Sequence, residues 1–340
     1  PHPTAPVVSP DGARLWVSGR FAGEVEVRNA RTLEIEGRIA MPGEPIAAAP
    51  TPDGTRLVIG QHLPERSADR GHVATQVHLV DTATCAVETS VRLPNGSTSL
   101  RGVCVSPDGR YAFATHILAR YTVPTTQIER GWINTNALSI LDLVEQDLLG
   151  TVLLDDVGRG AANPWGVEAT SDGKHLVVAH AGTHELSVID LPALLARLEA
   201  LDGEAANETG NDMAFLAPLR RRVPLAGRGP RGLAIAGGRA WVAEYFSESL
   251  GGCVLPGDAH ARAHSIPLTD APTPVTVERR GEILYHDASI SLQEWQSCAS
   301  CHPDARADAL TWDLLNDGFG NPMNSKTMLY AHRTPPAMAT

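Results

Sequence analysis

One tetrapeptide recurs along this chain and settles its local geometry. Ser-Pro-Asp-Gly, or a close variant, lies inside "VVSPDGARLWVSG" from Val7, "AAPTPDGTRLVIG" from Ala48, "VCVSPDGRYAFAT" from Val103 and "VEATSDGKHLVVA" from Val167. A degenerate fifth copy, "LAIAGGRAWVAE", begins at Leu233. Asp-Gly joins a residue that tolerates positive φ to one that prefers it, so the chain reverses there and each copy reads as a β-hairpin. A third alternating strand follows in four copies, as "EVEVRNARTLEIEGRI", "VHLVDTATCAVETSVRL", "ALSILDLVEQDLLGTVLL" and "ELSVIDLPALL", and a fourth strand follows in the first three. Two hairpins per unit make a four-stranded antiparallel sheet, a propeller blade. The interval from Ser9 to Thr51 matches a bare blade of ~40–45 residues. The later intervals are longer and carry insertions.

Composition limits the partners. The chain has 340 residues, a net charge of −11 and 20% charged residues, which argues against a nucleic-acid or anionic-membrane surface. Apolar runs such as "RGLAIAGGRAWVA" stop well short of the ~20 residues a membrane span needs. "PHPTAPVVSPDG" reads as a mature or trimmed start. Five cysteines are too few for a disulfide scaffold. Cys85, Cys104 and Cys253 read as small buried apolar residues; a Cys85–Cys104 bridge is the alternative in an oxidising compartment.

Two insertions stand out. "HILARYTVPTTQIERGWINTN" (116–136) is loop-like, and Arg120, Arg130, Trp132 and Asn134 are its candidates to face a partner domain. The second insertion opens with a helical period over Leu194–Leu201 and ends in Arg220–Arg222, which reads as a solvated basic turn. His62, His72, His78, His116 and His180 show no metal-ligand spacing and read as structural. His116 and His180, at equivalent places in two repeats, are expected near each other at the central channel.

The end of the chain has another texture. "EWQSCASCHPDARADALTWDLL" contains Cys298, Cys301 and His302, and C-x-x-C-H is the attachment signature of c-type haem. Two thiols one helical turn apart reach the two vinyl groups of one porphyrin edge, and the following imidazole becomes the axial iron ligand. Structural zinc needs two more Cys or His at ligand spacing nearby, and a thioredoxin-like pair needs a βαβ context. The sequence offers neither. Trp295 and Trp312 flank the motif as candidates to pack on a macrocycle, and no motif indicates calcium.

The repeat resembles the YVTN or surface-layer propeller repeat over about residues 5–270. That family is usually seven-bladed, so five visible repeats leave up to seven blades open. The stretch holding "RRGEILYHDASIS", "CASCHPDARADAL" and "GFGNPMNSKTM" resembles the first cytochrome domain of bacterial di-haem cytochrome c peroxidases and the related methylamine-utilisation haem enzymes, in the branch fused behind such a propeller. The resemblance implies thioether bonds at Cys298 and Cys301, an iron ligand at His302, and an exported or periplasmic bacterial location. It also implies a second haem, supplied by further sequence or by a partner, because this chain has one motif. The family's glycine-rich loop often carries a distal histidine; here it reads Asn316-Asp317-Gly318-Phe319-Gly320. On an open distal face Asp317 or Asn316 would assist proton transfer. Met323, Met328, His332 and Met338 are the candidate sixth ligands, and any of them would make a six-coordinate electron carrier.

The expectation is therefore an all-β propeller over 1–272 and a small, mainly helical c-type cytochrome domain over 273–340. Its function is electron transfer with peroxidase-type oxidation at one covalent haem, the propeller acting as a platform for a redox partner. The alternative is a non-catalytic, six-coordinate or structural subunit of a larger complex.

Overall fold

In the computed structural model, residues 3–65, 68–69, 71–123, 133–256, 263–270, 274–313 and 320–333 are described. Each repeat forms one antiparallel four-stranded meander. Blade 1 holds β1 (Pro3–Val8), β2 (Arg14–Gly19), β3 (Glu24–Asn29) and β4 (Ile35–Ala40); blade 2 holds β5 (Pro45–Pro50), β6 (Arg56–Gln61), β7 (Gln76–Asp81) and β8 (Ala86–Arg92). Blade 3 holds β9 (Ser97–Val105), β10 (Tyr111–Ala119), β11 (Asn134–Asp142) and β12 (Asp147–Leu153). Blade 4 holds β13 (Pro164–Ala169), β14 (His175–His180), β15 (Glu185–Asp190) and β16 (Arg220–Pro224). Blade 5 holds β17 (Pro230–Ala236), β18 (Arg239–Glu244), β19 (Ser249–Val254) and β20 (His264–Pro267). The chain is a five-bladed β-propeller. The first strands lie side by side in chain order, β1 with β5, β5 with β9, β9 with β13 and β13 with β17.

The recurring turn works as its residues require. In blade 1 the Ser9 hydroxyl donates to Asp11 Oδ1 (2.5 Å), the same oxygen accepts from the Ala13 N–H (3.0 Å), and Gly12 sits at φ +72°. Thr51 with Asp53 and Ser106 with Asp108 repeat the arrangement. In blade 4 the Thr170 hydroxyl and the Lys174 N–H hold the Asp172 carboxyl down at about 2. Side-chain bonds of this kind replace ladder bonds where the strand must stop.

Alternating apolar residues meet between blades. Trp16, Val25, Val27 and Ile39 of blade 1 pack on Leu57, Ile59 and Val80 of blade 2. Val177, Ala179 and Val188 of blade 4 likewise meet Ala240, Val242 and Cys253 of blade 5. All five cysteines are free. Cys85 packs between blades 1 and 2 and Cys104 between blades 3 and 4, so the alternative of a bridge between them is corrected. The histidines are structural, and His116 and His180 are not hydrogen-bonded to each other. His116 Nε2 pairs with Ser139 Oγ (2.8 Å) and His180 Nε2 with Ser187 Oγ (2.7 Å), each inside its own blade.

The helical period in the second insertion forms α1 (Leu191–Glu199), capped by Asp190 and burying Leu191, Leu194 and Leu198; a short α2 (Gly203–Glu208) follows. The basic turn expected at Arg220–Arg222 is instead strand β16. Arg220 pairs with Asp156, and Arg222 bridges Asp156 (2.8 Å) and the buried Glu185. Alternation along the strand turns both guanidiniums inward, toward carboxylates that only the fold brings there.

The described residues after 273 do not make the expected separate cytochrome domain. They form a strap of short helices, α3 (Val277–His286) and α4 (Cys298–Cys301), with 3-10 turns and one two-residue ladder between β21 (Thr311–Trp312) and β22 (Met323–Asn324). The strap crosses the propeller face opposite the Pro-Asp-Gly turns and touches every blade. Its contacts are Arg306 with Glu44, Thr311 Oγ1 with Ala68 O, Asp308 O with Thr98 Oγ1, Ala288 N–H with Gly182 O and Arg279 with Tyr245 O. Among the described residues no helix is long and apolar enough to cross a membrane.

Candidate functional site

The C-x-x-C-H segment is one helical turn held from both sides. Upstream, Thr276 caps α3, accepting from the Arg279 N–H (3.2 Å), and Tyr285 on α3 donates to the His302 carbonyl (2.5 Å). Ser297 and Ser300 form a capping box that starts α4, and the His302 N–H closes the turn on Cys298 O (3.0 Å). Serine at N-cap with a second hydroxyl at N3 satisfies amide donors that a short helix leaves open.

The propeller grips this turn with amides. Asn163 Nδ2 donates to Ser297 Oγ (2.7 Å) and its oxygen accepts from Ser300 Oγ (2.7 Å). Asn136 donates to Trp295 O (3.1 Å), and the same side chain donates to the buried Asp155 (2.8 Å). Asn134 donates to Cys301 Sγ (3.0 Å) and Gln296 Oε1 (3.1 Å). At Gly160 a Cβ would lie 2.3 Å from Trp295 Cα. Only glycine lets the strap come so close.

The two thiols therefore differ. Cys298 is exposed, while Cys301 is half-buried with its thiol under Asn134, and burial pushes that thiol up to about 12. In reduced, haem-free protein at pH 8, an alkylating reagent is expected to label Cys298 first, with Cys301 slower by roughly tenfold or more. Equal rates by peptide mass mapping would show that the Asn134 contact is not kept.

His302 is half-buried, and its Nδ1 is enclosed without a hydrogen-bond partner. Two cysteines three residues apart on one turn, with an imidazole that the strap does not engage at Nδ1, fit the donor set of a c-type haem. Among the described residues no group of three or more His, Cys, Asp or Glu is arranged to hold a metal ion.

The other candidates go elsewhere. Trp295 is 1% exposed and walls a ~200 Å³ hollow shared with Arg120, Thr135, Leu153, Asn211 and Met213. Trp312 packs with Val73, Ile117, Tyr121 and Ile133 of the propeller and donates to Asp308 Oδ2 (2.8 Å). Both tryptophans thus anchor the strap. Arg120 donates to Asn211 and Gly210, within the propeller's own insertion, so of the two candidates from that loop that are described, Asn134 is the one that hydrogen-bonds to the strap. Met323 and His332 are exposed, and the Met328 N–H donates to Ala305 O (2.8 Å). Asn316, Asp317, Met338, Arg130 and Trp132 lie outside the described residues.

The strongest electrostatic feature had no sequence signal. Asp304, two residues after His302, meets Arg20 of blade 1 (2.7 Å), His62 of blade 2 (3.3 Å) and Arg101 of blade 3 (3.0 Å). Burial opposes its charge, but the His62 contact and the two guanidiniums outweigh that and hold its carboxyl far below the usual range. Burial and the Arg101 charge together push His62 down to about 4. Beside this cluster Arg306 binds Glu44 bidentately (2.8 and 2.7 Å), and Arg20 Nε donates to the same carboxylate (2.9 Å). Arg101 also lies over the Trp165 ring, 4.3 Å from its centroid.

No family model matches the chain. Among curated proteins it is 27% identical over 183 residues to the hydrazine synthase subunit beta of Kuenenia stuttgartiensis, covering 53% of this chain and 47% of that protein. It is 39% identical over 59 residues to the subunit gamma, 17% of each. Both relatives are hydrazine synthase subunits. The chain spans about half of one and about a sixth of the other. Among solved structures, Kuenenia stuttgartiensis hydrazine synthase matches with a TM-score of 0.52 and 22% identity over 76% of this chain and 97% of that one. U3-55K matches at 0.51 and 10% over 77% and 62%. At these identities the structures show the propeller fold alone. The resemblance to a propeller fused to a di-haem cytochrome c peroxidase domain is corrected by these findings. The relatives are hydrazine synthase subunits, and the segment taken for that domain is, where described, a strap packed on the propeller.

Proposed function

We propose that this chain is a haem c-bearing, non-catalytic electron-transfer or structural subunit of a multi-subunit redox complex. The supporting observation is a C-x-x-C-H turn clamped by Asn134, Asn136 and Asn163 of the propeller; the relatives' names place them in a multi-subunit enzyme. When bound, haem c supplies a one-electron iron centre. Cys298 and Cys301 would hold it and His302 would ligate the iron. The chain's own residues fix the turn: Asn163 sets the start of α4, Asn134 orients Cys301, and Tyr285 fixes the His302 backbone. Asp304 anchors the segment that follows. A rigid attachment reduces the rearrangement that accompanies a change of charge at the centre, which suits electron transfer. By the attachment chemistry, the compartment is the periplasm or another exported location.

In protein produced with c-type maturation, the ferric spectrum tests the non-catalytic reading. A low-spin spectrum unchanged by peroxide or cyanide is expected. A high-spin spectrum that shifts with either ligand would contradict it.

A further inference from the structure

Every first strand carries a register break near its strap-facing end, and those of blades 3, 4 and 5 hold Arg101, Trp165 and Arg231. A bulge of this kind re-aims the side chain that it leaves outside the ladder. Here the Trp165 ring receives both guanidiniums, Arg101 at 4.3 Å and Arg231 at 4.5 Å from its centroid. Blade 5 adds two more rings. Tyr245 lies 3.8 Å and Phe246 5.2 Å from the Arg231 guanidinium. Phe246 enters because residue 229 is glycine at φ +63°, where a Cβ would lie 2.2 Å from its ring.

Arg101 and Arg231 are placed alike but used differently. Arg101 donates to Asp304 (3.0 Å). Beside it, among Ser99, Asn163, Trp165 and Ala299, the gap is about 10 Å³, room for one water. Arg231 donates to no other described residue. It is half-buried: its Nε is enclosed without a partner, and its two terminal nitrogens are not enclosed.

The neighbouring carboxylates are already engaged. Glu282 holds Arg279 (2.7 Å), Asp304 holds Arg20, His62 and Arg101, and Glu44 holds Arg20 and Arg306. Five guanidiniums, of Arg20, Arg101, Arg231, Arg279 and Arg306, thus share three carboxylates, a surplus of two positive charges in a chain of net charge −11. Burial opposes the charge on Arg231. Aromatic faces attract a guanidinium but supply no acceptor oxygen, so its planar fork is left for a ligand with two oxygens.

We propose that Arg231 anchors a carboxylate-binding site at the strap-facing end of blade 5, its fork taking both oxygens and Trp165, Tyr245 and Phe246 forming the walls. The carboxylate belongs either to a free small molecule or to haem on the adjoining turn, whose Ala299 borders the same Trp165. Propeller residues build the site, so it does not rest on the haem reading, and the haem-free chain tests it alone.

Calorimetric titration with sodium formate and sodium acetate at constant ionic strength supplies the test. It is run on the haem-loaded chain and on haem-free chain produced without c-type maturation. Saturable binding with a Kd of about 1 mM or tighter is expected in the haem-free chain. Binding that persists with haem in place assigns the site to a free carboxylate; binding lost on haem attachment assigns it to the carboxylates of haem. Arg231→Lys keeps the charge without the fork and should weaken binding by roughly tenfold or more, with the Tm nearly unchanged. Three results would overturn the proposal: no saturable binding in the haem-free chain, chloride binding as tightly as formate, or an Arg231→Lys chain that binds like the parent.

Discussion

Replacing Asp304 with alanine is expected to loosen the strap from the propeller and to destabilise the folded chain by about 3–5 kcal/mol. The carboxylate is the meeting point of Arg20 and Arg101, whose side chains are each only 9% exposed, and of the fully buried His62. Removing it leaves two guanidiniums confined without their shared counter-charge, and that is costlier than losing an exposed pair. Arg20 keeps Glu44 and Arg101 keeps the Trp165 ring, so the propeller should stay folded while residues 274–333 become open to protease. Glu44→Gln should cost less, because Arg20 keeps Asp304 and Arg306 is nearer solvent. Limited proteolysis with a urea titration checks both variants. An Asp304→Ala chain that matches the parent in midpoint and cleavage pattern would show that this ion cluster does not hold the strap.

Acid is expected to weaken the fold progressively between pH 6.5 and pH 4. Burial is the first cause that pushes His62, His78 and His116 down to about 4, and it lowers His180, His184 and His286 as well. Folded, His62, His78, His116 and His180 stay neutral through most of that window, and His184 and His286 take up protons at lower pH than they do unfolded. Unfolded, they take up protons near 6.5, so the unfolded chain binds more protons and stability falls with falling pH. Burial acts oppositely on Asp155, raised to about 6, and Glu168, raised to about 7, and it also raises Asp308. Those carboxyls favour the folded chain as pH drops, but six histidines outnumber three carboxyls and the net slope keeps its sign. The contributions of Asp304 and Glu44, both held below their usual values, are present above the unfolded carboxylate range and are lost as pH falls through their folded values. The expected total is several kcal/mol between pH 7 and pH 4. Urea midpoints across that range measure it; a flat or rising profile toward acid would contradict the burial of these rings.

The propeller was readable because its signal is local and repeated. A hydroxyl, Asp and Gly at fixed spacing make the turn in four blades, and the flanking alternation sets which side chains enter the core. Blade 5 was fainter: its turn is Gly237-Gly238, and Gly251 and Gly252 hide the alternation of β19. The strap was not readable. Asp304 meets Arg20, His62 and Arg101, and Arg306 meets Glu44, across more than two hundred residues, and no spacing rule links single charges so far apart. The surroundings of Trp295 and Trp312 were not readable for a related reason: the residues that enclose them, Arg120, Thr135 and Leu153 for the one and Val73, Ile117, Tyr121 and Ile133 for the other, come from distant parts of the propeller. Arg220 and Arg222 read as a basic turn because their acceptors, Asp156 and Glu185, come from other parts of blade 4. The C-x-x-C-H motif carries an expectation of chemistry in five residues, and the structure adds the amide clamp around it.

That clamp has its purpose if the motif carries haem, and the intact mass of the purified protein tests the point most directly. The account predicts a polypeptide heavier by one covalently bound haem after expression in a host that matures c-type cytochromes, and the bare polypeptide mass for a Cys298→Ser, Cys301→Ser variant that still folds. A parent chain with the bare polypeptide mass under the same conditions would contradict it.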